Sequence, residues 1–191
     1  MSNLKPEQRY TLEEYYALDK GSDRRWEYWD GEIDCMSGGS KEHAIIQGNV
    51  FKHLSHRLPE RCRVFSPDMA VKTNAAAGYA YPDLSAACNP KYEKHEVQGI
   101  DLLVNPSMII EVTSPTSLLR DHNLKKKTYQ AIEPLRDYIV IEAESMFVTH
   151  YARGAKQWKK HIYDEPEERI EIASVGVSLT LAEIYQGIEI E

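Results

Sequence analysis

Two acidic residues in this chain of 191 residues stand where an acid is costly. Met108-Ile109-Ile110-Glu111-Val112-Thr113-Ser114 reads as a buried strand that carries a carboxylate. An ionised Glu among apolar neighbours is expensive unless a cation or strong donors meet it. Tyr81-Pro82-Asp83 leads into a second apolar run, through Cys88, that also reads as a strand. If the two strands are neighbours, Asp83 and Glu111 converge on one point. Two hard oxygen donors, with a backbone carbonyl and water, make a magnesium site. A cation there lowers the pKa of a bound water and neutralises charge developing on a phosphoryl group. The plainer account is a Pro-Asp turn at 82–83 and a salt-bridged Glu at a sheet edge.

Downstream, Asp121-His122-Asn123-Leu124-Lys125-Lys126-Lys127-Thr128-Tyr129 places three consecutive lysines on a helix, about 100° apart around its axis. Leu124, Thr128 and Ala131 mark the expected buried stripe, with Lys125 beside it. Lys125 shares its side with Asp121 and Tyr129 at spacings of four. The modest reading is an Asp121–Lys125 surface pair worth a few tenths of a kcal/mol. The chemical reading is a lysine reaching back to the acids, where its charge orients an attacking water or a phosphate.

The elements that must hold these groups are legible in outline. Residues 1–10 form a polar lead-in. Thr11-Leu12-Glu13-Glu14 has capping-box spacing and predicts a short helix to about Asp19, stopped by Gly21. Residues 25–36 place aromatics around Asp30-Gly31, a hairpin signal. After the loop Ser37-Gly38-Gly39, Ser40 is the expected N-cap of a helix ending before Pro59. Its apolar stripe is assigned to Ala44, Gly48, Phe51, Leu54 and Leu58, and its basic face to Lys52, His53, His56 and Arg57.

Strands are expected at 63–65, 69–71 and 81–88, with a small-residue turn at 73–78 and a polar loop at 89–99. The Glu111 strand follows, ending at Thr113. A long helix capped by Thr116 or Ser117 runs to Pro134. A central strand is expected at 138–141, a hairpin through Gly154, and a last strand near Val177. A capping box at Thr180-Leu181-Ala182-Glu183 opens a terminal helix. This order predicts one domain, residues 1–191, of the α/β or α+β class around a mixed sheet.

Composition sets bounds. Hydrophobic residues at 42% and charged residues at 28% are ordinary globular values. No apolar run has the length of a membrane span and the N-terminus lacks a signal-peptide core, so a soluble cytoplasmic protein is expected. A net charge of −7 does not advertise nucleic-acid binding, although clustered carboxylates can recruit metal while a small basic patch binds the strand. Three widely spaced cysteines, Cys35, Cys62 and Cys88, predict free packed thiols rather than a disulfide framework or zinc site. There is no Gly-x-Ser-x-Gly elbow, P-loop or dinucleotide fingerprint.

Taken in order, Tyr81-Pro82-Asp83, then Ile109-Ile110-Glu111-Val112-Thr113-Ser114-Pro115, then Asp121 with Lys125 and Tyr129, resembles the Uma family of restriction-endonuclease-like proteins in the PD-(D/E)XK nuclease superfamily. Glu27-Tyr28-Trp29-Asp30-Gly31-Glu32, with Met36 and His43, is similar to that family's hairpin and following helix start. The resemblance covers roughly residues 8–186.

It implies a restriction-endonuclease-like core: a mixed central sheet flanked by helices, an N-terminal hairpin and C-terminal strands. It implies a DNA substrate, Mg²⁺ or Mn²⁺ held by Asp83 and Glu111, and Glu27 as a further acid nearby. The superfamily's lysine stands two residues after the acid; here that place is Thr113, and Lys125 looks like its relocated replacement. Tyr129 and His43 join the candidate site; at a helix start, His43 more readily packs or hydrogen-bonds beside the pocket than ligates metal. Trp26 and Trp29 are assigned to core or interface area. A homodimer is compatible with exposed sheet edges and aromatics near the hairpin. The alternative is a nuclease-fold module that binds nucleic acid or protein without cutting.

Overall fold

Local signals become caps and turns. In a computed structural model describing residues 9–23, 25–29, 31–35, 39–115, 117–118 and 121–190, the Thr11 hydroxyl accepts from the Glu14 N–H while the Glu14 carboxylate accepts from the Thr11 N–H. That reciprocal cap opens α1 (Leu12–Lys20). Strands β1 (Trp26–Trp29) and β2 (Glu32–Cys35) form the expected hairpin, and Gly31 takes φ +93°, which glycine adopts without steric penalty. Helix α2 (Lys41–Arg57) follows, with the Ser40 hydroxyl accepting from the His43 N–H. The expected N-terminal lead-in through residue 8, Asp30, Met36 with Ser37-Gly38, and Thr116 lie outside the described residues.

Then come β3 (Cys62–Phe65), β4 (Ala70–Lys72), β5 (Tyr79–Ala80), β6 (Leu84–Cys88), β7 (Tyr92–Lys94), β8 (Asp101–Leu103) and β9 (Met108–Thr113). A π-helical turn (Asp121–Lys125) runs directly into α3 (Lys126–Gln130). The remainder is β10 (Asp137–Glu142), β11 (Val148–Arg153), β12 (Trp158–Tyr163), β13 (Arg169–Ile172), β14 (Val177–Thr180) and α4 (Leu181–Ile184). The Thr180–Glu183 capping box opens α4.

Six strands form the main sheet in the order β12-β11-β10-β9-β6-β3. β9 is buried along its whole length, parallel to β10 on one side and antiparallel to β6 on the other. Such a strand needs cover on both faces, and the pleat divides its side chains accordingly. Met108, Ile110 and Val112 pack with Ile46, Val50 and Leu54 of α2 and with apolar residues of β13, β14 and α4. Ile109, on the other face, packs with Trp29, Leu103, Tyr129 and Tyr138. A smaller sheet, β5-β4-β8-β7, lies beside that second face. The α+β class and mixed sheet expected from the sequence are present.

Several local expectations are corrected. The buried stripe of α2 is Ile46, Val50 and Leu54, while Ala44, Gly48 and Phe51 are exposed. Branched aliphatics bury more apolar area than Ala or Gly, so they set the phase. The strand expected from residue 81 begins at Leu84, after Pro82. The supposed polar loop 89–99 contains β7, and β5, β8 and β13 are additional strands of two to four residues, too short for a firm periodic signal. Cys62 and Cys88 are joined in a disulfide, leaving Cys35 free. They are partners across the β3–β6 register, a proximity that linear spacing conceals.

Candidate active site

The β6–β9 register pairs Leu84 with Ile110 and Ser85 with Ile109. Continued by one residue, it sets Asp83 opposite Glu111. Directly opposed residues share a sheet face, and the Asp83 Oδ2 accepts the Val112 N–H at 2.7 Å. The two acids that stood 28 positions apart in sequence, by subtraction of their numbers, thus line one cavity. Pro82 helps place Asp83: it supplies no N–H to the ladder and ends the preceding pairing.

The hairpin delivers a third acid. On β1, Glu27 and Trp29 alternate with half-buried Trp26 and Tyr28, so both turn inward. Glu27 accepts from the Tyr81 N–H at 3.1 Å and from the Trp29 Nε1–H at 3.1 Å. Helix α2 brings His43, whose Nε2 lies 3.2 Å from Asp83 Oδ1, and Gln47, whose amide donates to the Asp83 backbone carbonyl. A Cβ on Gly39 would come within 2.6 Å of the His43 ring, so glycine at 39 is a steric condition of that imidazole position.

The π-helical turn supplies the cation. Lys125 Nζ lies 3.2 Å from Glu111 Oε2, 3.3 Å from Glu27 Oε2 and 3.6 Å from Asp121 Oδ1. Its ammonium also stands 5.7 Å from the Trp29 ring centroid. The Tyr129 hydroxyl donates to Glu111 Oε1 at 2.7 Å, and Tyr138 donates to the Asp121 carbonyl at 2.9 Å.

The expected apolar stripe of this helix is therefore corrected: Ala131 is exposed, and the inward side is Asp121, Lys125 and Tyr129. The Asp121–Lys125 pair is buried, not a surface pair. Residues four apart share one side of a helix, so Asp121, Lys125 and Tyr129 point the same way. Thr113 is buried two positions beyond Glu111, but its hydroxyl meets the Ser117 hydroxyl at 2.8 Å and braces the loop leaving β9. The amine that reaches Glu111 comes from the helix instead.

Glu27, Asp83, Glu111, Asp121, Lys125 and His43 line a cavity of about 360 Å³. Burial pushes the Glu111 carboxyl well above its ordinary 4.5; Lys125 pulls it down, while Asp83, Asp121 and Glu27 push it up further. Burial opposes the Lys125 ammonium, but Glu111, Glu27, Asp121 and Asp83 together hold its pKa well above 10.5. The Asp83 hydrogen bond is the largest influence on His43 and raises it above 6.5, against burial. Asp121 Oδ1 is buried with no hydrogen-bond partner among the described residues. No group of three or more His, Cys, Asp or Glu side chains among them forms a ready metal cage.

From sequence, Trp29 is expected in core or interface area, and neither Gln47 nor the Tyr81 N–H has a role. The period-two pairing of Glu27 with Trp29 was the available signal for the first. A side chain reaching across from another helix and a lone backbone N–H leave none.

The chain is 26% identical over 185 residues to the Synechocystis sp. protein "Uncharacterized protein slr1290", covering 96% of this chain and 95% of the relative. A second Synechocystis protein, "Uncharacterized protein sll1609", is 29% identical over 151 residues, covering 78% and 84%. The fold is shared, at TM-score 0.69 and 19% identity, with a crystal structure from Anabaena variabilis ATCC 29413 titled a "putative nuclease belonging to DUF820". That likeness covers 92% of this chain and 97% of the other. No helix among the described residues is long and apolar enough to cross a membrane. The family profile Uma2, described as "Putative restriction endonuclease", matches residues 12–182, and the chain belongs to that family.

Proposed function

We propose that this protein is an endodeoxyribonuclease that hydrolyses DNA phosphodiester bonds with Mg²⁺ or Mn²⁺. The observation that carries this reading is the placement of Asp83 across the sheet from Glu111, with Lys125 against Glu111 in the same cavity. The donor set suits a hard cation: five carboxylates share one lysine and one histidine, and one buried carboxylate oxygen lacks a hydrogen-bond donor among the described residues. Asp83 and Glu111 would hold the ion, with main chain and water completing a shell of the kind magnesium prefers. When bound, it would lower the pKa of a water ligand and neutralise charge on the phosphoryl group.

The chain's own groups supply the rest. Hydrolysis adds water across a P–O bond, and negative charge accumulates on the non-bridging oxygens. The Lys125 ammonium stabilises that charge, an effect typically worth about 10²–10³ in rate for one well-placed donor. Glu27 and Asp121 hold the lysine in place, and Tyr129 fixes Glu111 through Oε1. His43 and the Val112 N–H orient Asp83 from two sides.

Purified protein is expected to nick supercoiled plasmid with Mg²⁺ or Mn²⁺ and not in EDTA. Asp83→Ala and Glu111→Ala should each abolish nicking while leaving the folded circular-dichroism spectrum intact. Undiminished cleavage by both folded variants would rule out this centre.

A further inference from the structure

The helix that carries Lys125 has a second side. Asp121 and Lys125 line the carboxylate cavity, whereas His122, Asn123 and Lys126 line a separate groove of about 540 Å³. The groove floor is the outer part of the main sheet. Tyr151 on β11 stands opposite Lys160 on β12, and Arg153 stands opposite Trp158. These side chains rise on one face. The two cavities lie on different sides of the same helical segment, since the consecutive residues Asp121 and His122 line one each.

The groove is cationic in a protein of net charge −7. Lys72, Lys94 and Arg57 are each paired with a carboxylate elsewhere. Lys126 and Lys160 have no such partner among the described residues. The Lys126 ammonium instead lies 5.3 Å from the Tyr151 ring centroid. His122 Nδ1 sits 3.0 Å from the Tyr151 hydroxyl. Its pKa is pushed below 6.5, first by burial and then by Lys160; Glu142 and Asp121 pull the other way, and Lys126 adds a smaller push downward. Both lysines therefore act on the His122 ring from the groove side.

Its half-buried aromatic is held rigid. The Arg153 guanidinium lies 4.5 Å from the Trp158 ring centroid, and Arg153 is itself anchored by the carbonyls of Gln130, Ile132 and Leu135. A fixed indole beside two unneutralised lysines matches the needs of an unpaired nucleic-acid strand. Phosphates take the cations, and any base offers a π face for stacking. A base inside a duplex has both faces already stacked, so this pairing of groups favours single strand.

We propose that this groove binds a single-stranded stretch of nucleic acid flanking the phosphate in the carboxylate cavity. Lys126 and Lys160 hold backbone phosphates, and Trp158 stacks one base. The placement beside a scissile phosphate rests on the nuclease reading of that cavity.

The test is fluorescence anisotropy of the full chain in EDTA, with labelled oligothymidylate and with its duplex. Lys126→Glu/Lys160→Glu should weaken single-strand binding about tenfold or more and reduce the log–log salt slope by about 1.4, at roughly 0.7 per single-strand phosphate contact. Trp158→Ala should weaken it about fivefold or more, and Trp158→Phe should restore most of the loss. Lys52→Glu/Lys91→Glu, an equal charge change elsewhere, should leave affinity within about twofold, as solvated charges do. Unchanged affinity in the folded groove variants, an equal loss in the control pair, or duplex binding tighter than single-strand binding would overturn the proposal. Binding is read without a cation. A strand held by these residues but never cleaved counts against the nuclease reading alone; cleavage with unaltered binding counts against the groove alone.

Discussion

Lys125 Nζ lies 3.2 Å from Glu111 Oε2, although one residue belongs to a helical turn and the other to a strand. A lysine two positions along a strand reaches the same side of the sheet as its acid. Here that position is spent on Thr113, whose hydroxyl braces the loop, and the cation arrives from the neighbouring helix. The electrostatic result is similar. The difference is that the position of Lys125 depends on the π-helical turn and on Glu27 of the hairpin, so three separate elements must be in place for one ion pair.

That dependence makes Lys125 a stability residue as well as a candidate catalytic one. In Lys125→Met, three buried carboxylates lose their shared cation, and removing one partner of a buried pair costs about 3–5 kcal/mol. Urea unfolding at neutral pH should show a loss of that order. The deficit should shrink on acidification, as the Glu111 carboxyl takes up its proton.

The pH dependence of stability follows from Glu111. Its folded pKa is raised, so the fold favours the protonated form. The stability this contributes is complete below its ordinary value of 4.5 and is lost as pH rises through the folded value. Glu111→Gln mimics the neutral form. Unfolding midpoints of wild type and Glu111→Gln in EDTA should therefore nearly coincide near pH 4.5, with the variant increasingly the more stable as pH rises.

A second carboxylate titrates in the opposite sense. Arg57 grips Glu183 through both terminal guanidinium nitrogens, tying α2 to α4, and the Glu183 carboxyl is pulled down to about 2, chiefly by that hydrogen bonding. This contribution is present above 4.5 and is lost as pH falls through about 2. In Arg57→Ala the Glu183 carboxyl should titrate closer to 4.5, as read by carboxyl carbon shifts in NMR.

Thiol counting checks the β3–β6 register. With the Cys62–Cys88 disulfide intact, alkylation of unfolded protein should modify Cys35 alone, and all three cysteines after reduction. Closing a loop of 26 residues is worth about 3.5 kcal/mol in the chain-entropy account, so reduction should lower the unfolding midpoint measurably.

The sequence carried the acids more clearly than the surfaces around them. Glu111 was legible because an acid in an apolar strand is an electrostatic anomaly wherever the strand lies. The Thr11 and Thr180 caps and the Gly31 turn were legible because their causes are local. The phase of α2 was missed because Ala44 and Gly48 satisfy the helical period as well as Ile46 and Val50 do. Only packing against β9 selects between them. The helix after β9 misled for a related reason: its inward residues are Asp121, Lys125 and Tyr129, which an apolar-stripe criterion assigns to solvent. Buried polarity at a site inverts the rule that reads helices elsewhere.

The claim that Asp83 and Glu111 share one divalent cation is tested most directly by calorimetric titration of Mn²⁺ into metal-free protein. The account predicts binding to wild type, retained in Lys52→Ala and lost in both Asp83→Asn and Glu111→Gln. Binding of unchanged affinity in the folded Glu111→Gln variant, or none to wild type, would contradict it.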